Sequence, residues 1–446
     1  MGKKKRPSPP PAPVKMTWRE RIIKVGCFAA QSSWAALKNA LIILPLVGGK
    51  LIFEQTEEGN DYEQVSHARA SVYALNKDVY DIHHESDVVV VDITKLTQRE
   101  RDGSKEQFTS RADLARLIEV IAKEAPRAIG VDVNLAPLKP GAAMHPEDEG
   151  FLTKCDQLRN EHGVAIIVGV DDRSQFGPPD QWLGSQAFSQ MAASAMIPKD
   201  ARLLPLEYVD STKTRLGGFA ADVFLAAGGS RPAATGNHWL ETLARHSAPE
   251  PNADWSVLSY YVDYSWMRRP SIVTGYQPAI VEDAPWLFKD KFVLIGDVHG
   301  GSDKFNVRGV AKEPVAGVVI HACGVDTLVR GEVAHLTHHA RLILDVLVAG
   351  AVILLILLLR ICYFLPTCED TMDSHATHWV FTFVAVALVI SIAHVMAWKY
   401  RIVWTDAIMV AAALLLHRPI EILVHAVFRS LRHHTHKNNS YDQATH

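Results

Sequence analysis

Cysteine is scarce. Five occur in 446 residues and no two are spaced as a CxxC pair, which excludes a disulfide-stapled scaffold and an ordinary zinc ribbon. Neither sign of charge dominates: 46 Lys and Arg stand against 49 Asp and Glu, a formal net charge of −3. A protein that is basic overall and grips nucleic acid through a broad positive field is thereby excluded. No GxSxG elbow, Walker loop or GxGxxG turn follows a strand-like run, so neither a serine hydrolase nor a nucleotide-dependent enzyme is supported. Internal repeats are lacking too. With 48% hydrophobic and 21% charged residues the chain is far from the disordered regime, and its long apolar runs gather at the two ends.

Leu342–Leu359 (LILDVLVAGAVILLILLL) contains one charge, Asp345, and Trp379–Trp398 contains no acid or base except His394. About 20 apolar residues in a helix cross a bilayer core, so both are expected to span. Trp379 and Trp398 stand at the ends of the second, where amphipathic rings favour the interface. A third span begins near Ile402 and is expected to reach about Phe428. The first apolar segment, 29–53, carries Lys38 and Lys50 but runs uninterrupted from Ala40 to Gly49. With no small-x-small site after it, it reads as an uncleaved signal anchor. Eight Lys and Arg up to Lys24 precede it against Glu20 alone, which places the N-terminus in the cytoplasm.

The expected order is therefore a basic, Pro-rich cytoplasmic tail (1–28), an anchor (29–53), an exported domain (54–340), three spans (341–428) and a cytoplasmic tail (429–446). Both termini are cytoplasmic and the large domain is outside, a multi-pass arrangement in a bacterial inner membrane.

The exported stretch alternates short β-rich runs with helical patterns. Asp87–Ile93, Arg127–Leu135, Val164–Asp171 and Phe292–Asp297 are apolar runs closed by an acid, the pattern of strands buried on both faces. Helices are expected over Arg111–Glu124, Glu147–Glu161, Gly217–Ala227 and Gly317–Arg330. The fold class is α/β, a mostly parallel sheet flanked by helices, joined to an all-α membrane region of four helices. Gly229–Asp254 reads as an irregular polar insertion. Asp92, Asp132, Asp171 and Asp297 close strands, and ligands collect beyond the carboxyl ends of an open parallel sheet; alone, each acid equally suits a cap on the following turn.

Three blocks carry a resemblance. Val88–Leu96 (VVVVDITKL) looks like an opening strand ending in an acid. Ser110–Leu135 pairs an Arg and a leucine-rich helix with a strand closing on Asp132. KDKFVLIGDVHGGSDKF and VAGVVIHACGVDTLVRGE look like a late strand and the helix that precedes the spans. Together with the order of spans they resemble the CHASE2 sensor family over about residues 54–420. Two positions depart from the family pattern: Thr94 stands where a second acid is usual, and Lys105–Ser110 (KEQFTS) replaces an aromatic-Pro segment.

The resemblance implies a non-enzymatic receptor without cofactor or metal, which detects a small molecule or envelope state and relays it through its helices. About eighteen residues follow the last expected span, so the output is expected on a separate signalling or assembly protein. The expected partners are the lipid membrane and a second copy of the chain, as a homodimer or higher homo-oligomer, with no nucleic acid. Guided by the family, the expected ligand residues are Asp92, Arg111, Asp132, Asp297 and Asp303, with Arg111 offering a bidentate fork to an anion.

Two other readings compete: a membrane scaffold in a multi-protein assembly, and a metal-dependent phosphoesterase at Gly296–Gly300 (GDVHG). The latter needs about six ordered ligands for two metals, and the Gly236–His238 motif precedes GDVHG where that class needs it after. Of the twenty-one histidines, His83–His84, His335/His338/His339 and His433/His434/His436 form clusters, and the His335 group stands where protonation would couple pH to the spans. His321 reads as a packed helix residue. Whether Cys155 and Cys323 pair is open.

Overall fold

The computed structural model describes residues 56–70, 86–133, 145–170, 190–230, 244–274, 284–348 and 375–416, apart from short breaks inside these stretches, and the single positions 53, 135, 350, 351, 354, 423 and 426. The chain divides into two compact units, one of Glu54–Leu344 with Ala387–Val410, the other of the remaining segments.

Six strands of the first unit form one sheet: β1 (Val88–Asp92), β2 (Ala128–Asp132), β3 (Ala165–Val170), β4 (Ala192–Ser194), β9 (Ile272–Thr274) and β10 (Phe292–Gly296). Four further strands, β5 (Leu203–Val209), β6 (Arg215–Gly217), β7 (Ser247–Asn252) and β8 (Trp255–Tyr261), make an antiparallel sheet in the order β7-β8-β5-β6. Every pairing in the six-stranded sheet is parallel, in the order β9-β1-β10-β2-β3-β4.

The apolar runs predicted from the sequence are its central strands. Their side chains alternate between two cores, as a period of two demands. Val89 and Val91 of β1 join the core under α2 (Arg111–Lys123) and α3 (Pro146–His162), while Val88 and Val90 join that under α4 (Phe219–Ala226) and α5 (Gly317–Arg330). Cys155 belongs to the first core and Cys323 to the second, so the sheet lies between them and both thiols are free.

Local signals set the helix ends. Leu114, Leu117, Ile118 and Ile121 are one buried stripe of α2, and the Ser110 hydroxyl accepts from the Asp113 amide at its start. Pro146, three acids in the first turn and a left-handed Gly163 at φ 66° bound α3. Within α5, a methyl group added at Gly324 would fall 2.6 Å from the Tyr260 hydroxyl and 2.5 Å from Leu204 Cδ1, so this helix lies close against the antiparallel sheet there.

The expectation that Gly229–Asp254 is irregular is corrected in part. Ser247–Asn252 pairs with β8 as an edge strand. Pro249 and Pro251 masked it in the sequence, because proline is tolerated in sheets chiefly at edges, where a missing N–H breaks no ladder.

A third, small sheet brings together β11 (Ala334–Leu336), β12 (Ile402–Val403) and Ala244–Arg245. Two helices complete the elements used below, α1 (Glu57–Ala70) and α6 (His375–Tyr400). Within α6, Thr382–Tyr400 is the one helix among the described residues long and apolar enough to cross a membrane, and Leu388, Ile390, Val395 and Trp398 on it are exposed. Ala407–Leu416 is a shorter apolar helix. The segment 29–53, apart from Phe53, and eight of the eighteen residues of Leu342–Leu359 lie outside the described residues, as do His83, His84, His338, His339 and His433–His436.

Candidate functional site

The chain order of the sheet strands creates the site. From β1 the chain passes to β2 and leaves a place between them, which β10 fills only after the β9 edge is laid down. In register, Asp92 of β1 stands beside Gly296 of β10, and Gly296 beside Asp132 of β2. The two acids are thus two strand spacings apart, about 10 Å, on the α5 face, with a side-chain-free notch between them. A methyl group at Gly296 would fall 2.8 Å from Val318 Cβ in the first turn of α5, so the helix start closes over this notch.

On the β1 side, Asp92 is buried, 4% exposed. Its Oδ1 accepts from the Thr94 amide at 3.0 Å, the Thr94 hydroxyl at 2.5 Å and the Val298 amide at 3.2 Å. The Thr94 hydroxyl also stands 2.6 Å from Asp297 Oδ1. A hydroxyl has one proton, so it serves one carboxylate at a time. The His299 amide donates to Thr94 Oγ1 at 3.1 Å and to Asp297 Oδ1 at 3.0 Å, and the exposed His299 ring brings Nε2 within 3.7 Å of Asp92 Oδ2. Thr94 therefore joins the ends of β1 and β10, a task its hydroxyl performs where the family pattern has an acid.

On the β2 side, burial and then the neighbouring Asp303 carboxylate push Asp132 up to about 8. At neutral pH Asp132 is mainly a neutral acid and a hydrogen-bond donor. Asp303 is exposed and stands at the start of α5, where its backbone oxygen accepts from the Gly317 amide at 3.0 Å. A side chain on residue 317 would put Cβ 2.1 Å from Asp303 Oδ2; only glycine lets this carboxylate lie on the helix start. The N-cap residue, Ala316, offers no side-chain bond, and the positive end of the helix dipole attracts the Asp303 charge.

Four of the five expected ligand residues, Asp92, Asp132, Asp297 and Asp303, are thus placed at the carboxyl end of three adjacent strands. Arg111 is placed differently. It is buried in the first turn of α2, and its Nε donates to Asp148 Oδ1 of α3 at 2.6 Å, with both side chains at most 5% exposed. Its guanidinium fork is turned to a helix–helix ion pair. Asp148 went unrecognised in the sequence because its partner lies 37 positions away. In the sequence Thr94 stood out only as a departure from the family pattern, and His299 only as part of the GDVHG motif.

His321 is packed as expected: Nε2 donates to the Ala195 carbonyl at 3.2 Å, the ring meets Phe219 edge-on, and burial lowers it to about 4. Among the described residues, no three His, Cys, Asp or Glu side chains are grouped to hold a metal ion.

A second polar assembly surrounds the other end of α5. The Asp263 amide donates to Thr327 Oγ1 at 2.8 Å, and Arg401, after α6, donates to Asp263 Oδ2 at 2.9 Å. Arg330 pairs with Asp326 at 2.9 Å, and burial pushes Asp326 up to about 6 against the opposing charge of Arg330. Glu63 of α1 pairs with Arg202 at 3.2 Å and with Arg341. Burial raises the Glu63 carboxyl, but the two guanidinium groups outweigh it and hold it below its ordinary range.

A family model described as "CHASE2 domain" matches residues 40–362, well over half of the chain. Neither the curated proteins nor the solved structures include a match.

Proposed function

The chain belongs to the CHASE2 domain family, sensor-type extracytoplasmic domains, and from that premise we propose that it is a membrane-spanning receptor whose ligand enters at the carboxyl end of β1, β10 and β2. The observation that carries the reading is the register row Asp92–Gly296–Asp132 under the start of α5. Chain-order switch points are where open parallel sheets hold ligands. With Asp297 and Asp303 exposed beside a neutral Asp132, the site favours a small polar ligand that carries donors or a positive charge and accepts one hydrogen bond. An anion gripped by Arg111 is the less favoured ligand, because that side chain is engaged with Asp148.

In this reading the four spans anchor the domain outside the cytoplasm, with both termini inside. The chain works as a homodimer without chemistry of its own, and a separate protein carries the output. Ligand binding shifts the relay only insofar as its free energy differs between two arrangements of the start of α5.

The experiment is a thermal-shift screen of small polar cations and polyols on the detergent-solubilised full chain, with Asp92→Asn and Asp132→Asn beside the native sequence. A ligand that stabilises the native chain and loses its effect in both folded variants supports the site. Equal stabilisation of all three overturns it. Co-purification from native membranes tests the output: a stoichiometric kinase or cyclase supports the relay, whereas assembly proteins alone favour the scaffold reading.

A further inference from the structure

The structure ties together three segments that the sequence places next to membrane spans. α1 follows the anchor, β11 precedes the span beginning near Leu342, and β12 follows α6. Their junction is a pair of buried histidines. His67 of α1 is fully buried and His335 of β11 is 6% exposed; His67 Nδ1 lies 2.6 Å from His335 Nε2, and His67 Nε2 lies 2.7 Å from the Val262 carbonyl. The Tyr261 ring stacks on His335 at 3.8 Å and 12°. Backbone pairing places His335 beside Val403 of β12, and Val403 packs with Val333, Ala397, Ala70 and Tyr261.

The hydrogen bonds specify the protons. A carbonyl only accepts, so His67 Nε2 carries a hydrogen, and neutral His67 presents a bare Nδ1 that accepts from His335 Nε2–H. Both rings are then neutral. A proton added at His67 Nδ1 would set donor against donor, and one added at His335 Nδ1 would leave a buried cation. The charged groups around the pair are Glu63 on α1, Arg202 before β5, Arg341 and Asp406, and Arg245, which backbone pairing sets beside His335 on the side away from Val403, with the Asp263–Arg401 pair one residue beyond Val262 and the Tyr261 phenol on the stacked face. Burial first, then His67, Arg202 and Arg341, lower His335 well below its ordinary value.

We propose that His67 and His335 form a proton-operated latch: neutral, they fasten α1 to β11 and through it to the β12 turn, and a proton taken up by the pair releases α1. The latch is independent of the ligand reading above, since it needs no ligand. Acid opens it. The released histidines bind protons below about 6.5 and the latched pair does not, so the open population rises about tenfold per pH unit for each histidine in that range.

The test uses the full chain in lipid nanodiscs, with backbone hydrogen exchange read by mass spectrometry at pH 7.5, 6.5 and 5.5 and corrected for intrinsic rates. The expected result is that protection of α1 and of residues 333–336 and 402–405 falls together, by up to about a hundredfold per unit (about tenfold for each histidine) below about pH 6.5, while β1 and β10 stay protected. The double variant His67→Gln/His335→Gln keeps a donor–acceptor pair that does not titrate, and its profile should be flat. If that variant does not fold, exchange at the imidazole C2 position of the native chain reports each ring's titration. Rings that stay neutral until α1 opens support the latch. Three results overturn it: protection unchanged at pH 5.5, an equal fall in the folded double variant, or a ring titrating near 6.5 with α1 still protected.

Discussion

Replacing Asp132 by Asn removes a titrating group while keeping its size and its capacity to donate. In the unfolded chain Asp132 ionises near 3.8, whereas in the fold burial and Asp303 raise it to about 8. Between these values the folded chain holds a proton that the unfolded chain has released, so this residue lowers stability as pH rises through the window. The full window corresponds to at most about 6 kcal/mol at ~1.4 kcal/mol per unit, and because the Asp132 side chain is only partly withdrawn from solvent, about 2 kcal/mol is expected. The Asn variant loses this penalty. Its melting temperature relative to the native chain should climb as pH goes from 5 to 8, by about 4–8 °C at ~2–4 °C per kcal/mol for a large domain. Near-ultraviolet circular dichroism of the full chain in detergent follows the melt. Parallel profiles for the two chains at pH 5, 7 and 8.5 would refute the assignment of a neutral acid at Asp132.

Other expectations follow from the same geometry. Arg111→Met leaves Asp148 buried without its partner and should cost about 3–5 kcal/mol in thermal melts; Arg111→Met with Asp148→Leu should recover most of that, with ligand response retained in the double variant. Gly296→Ala drives a methyl group to 2.8 Å from Val318 and should cost about 1–3 kcal/mol, while raising exchange in the first turn of α5. Cys155 and Cys323 lie on opposite faces of the sheet with both thiols raised by burial, Cys155 to about 12; maleimide should label neither in the native chain and both after denaturation, with and without reductant.

Much of the first unit was legible because its signals are local. A strand buried on both faces is written as an apolar run, and Asp92 and Asp132 each close one. Four apolar positions at helical spacing on α2 (Leu114, Leu117, Ile118 and Ile121) and Pro146 with Gly163 around α3 mark those helices without reference to the rest of the chain. What escaped was long-range or concealed by composition. The register row depends on β10 entering between β1 and β2 after the other central strands, a fact of topology that no spacing records. Arg111 looked like a ligand fork because its partner lies on another helix. His67 and His335 meet across 268 positions, so His335 stood out only as one of a cluster, and His67 not at all. The prolines of β7 concealed a strand by supplying a signal that ordinarily denies one.

The close approach at Gly324 has a mechanical consequence. α5 is one uninterrupted helix of 14 residues, about 20 Å long, and near its middle Gly324 rests on Tyr260 and Leu204. A stiff rod held at its centre moves as a seesaw. If a ligand in the notch lifts Val318 from Gly296, the opposite end swings toward Asp263, where Thr327 and Arg401 meet. The glycine is then a fulcrum: its lack of a side chain sets how near the pivot lies to the antiparallel sheet, and so how the stroke divides between the two ends of the rod.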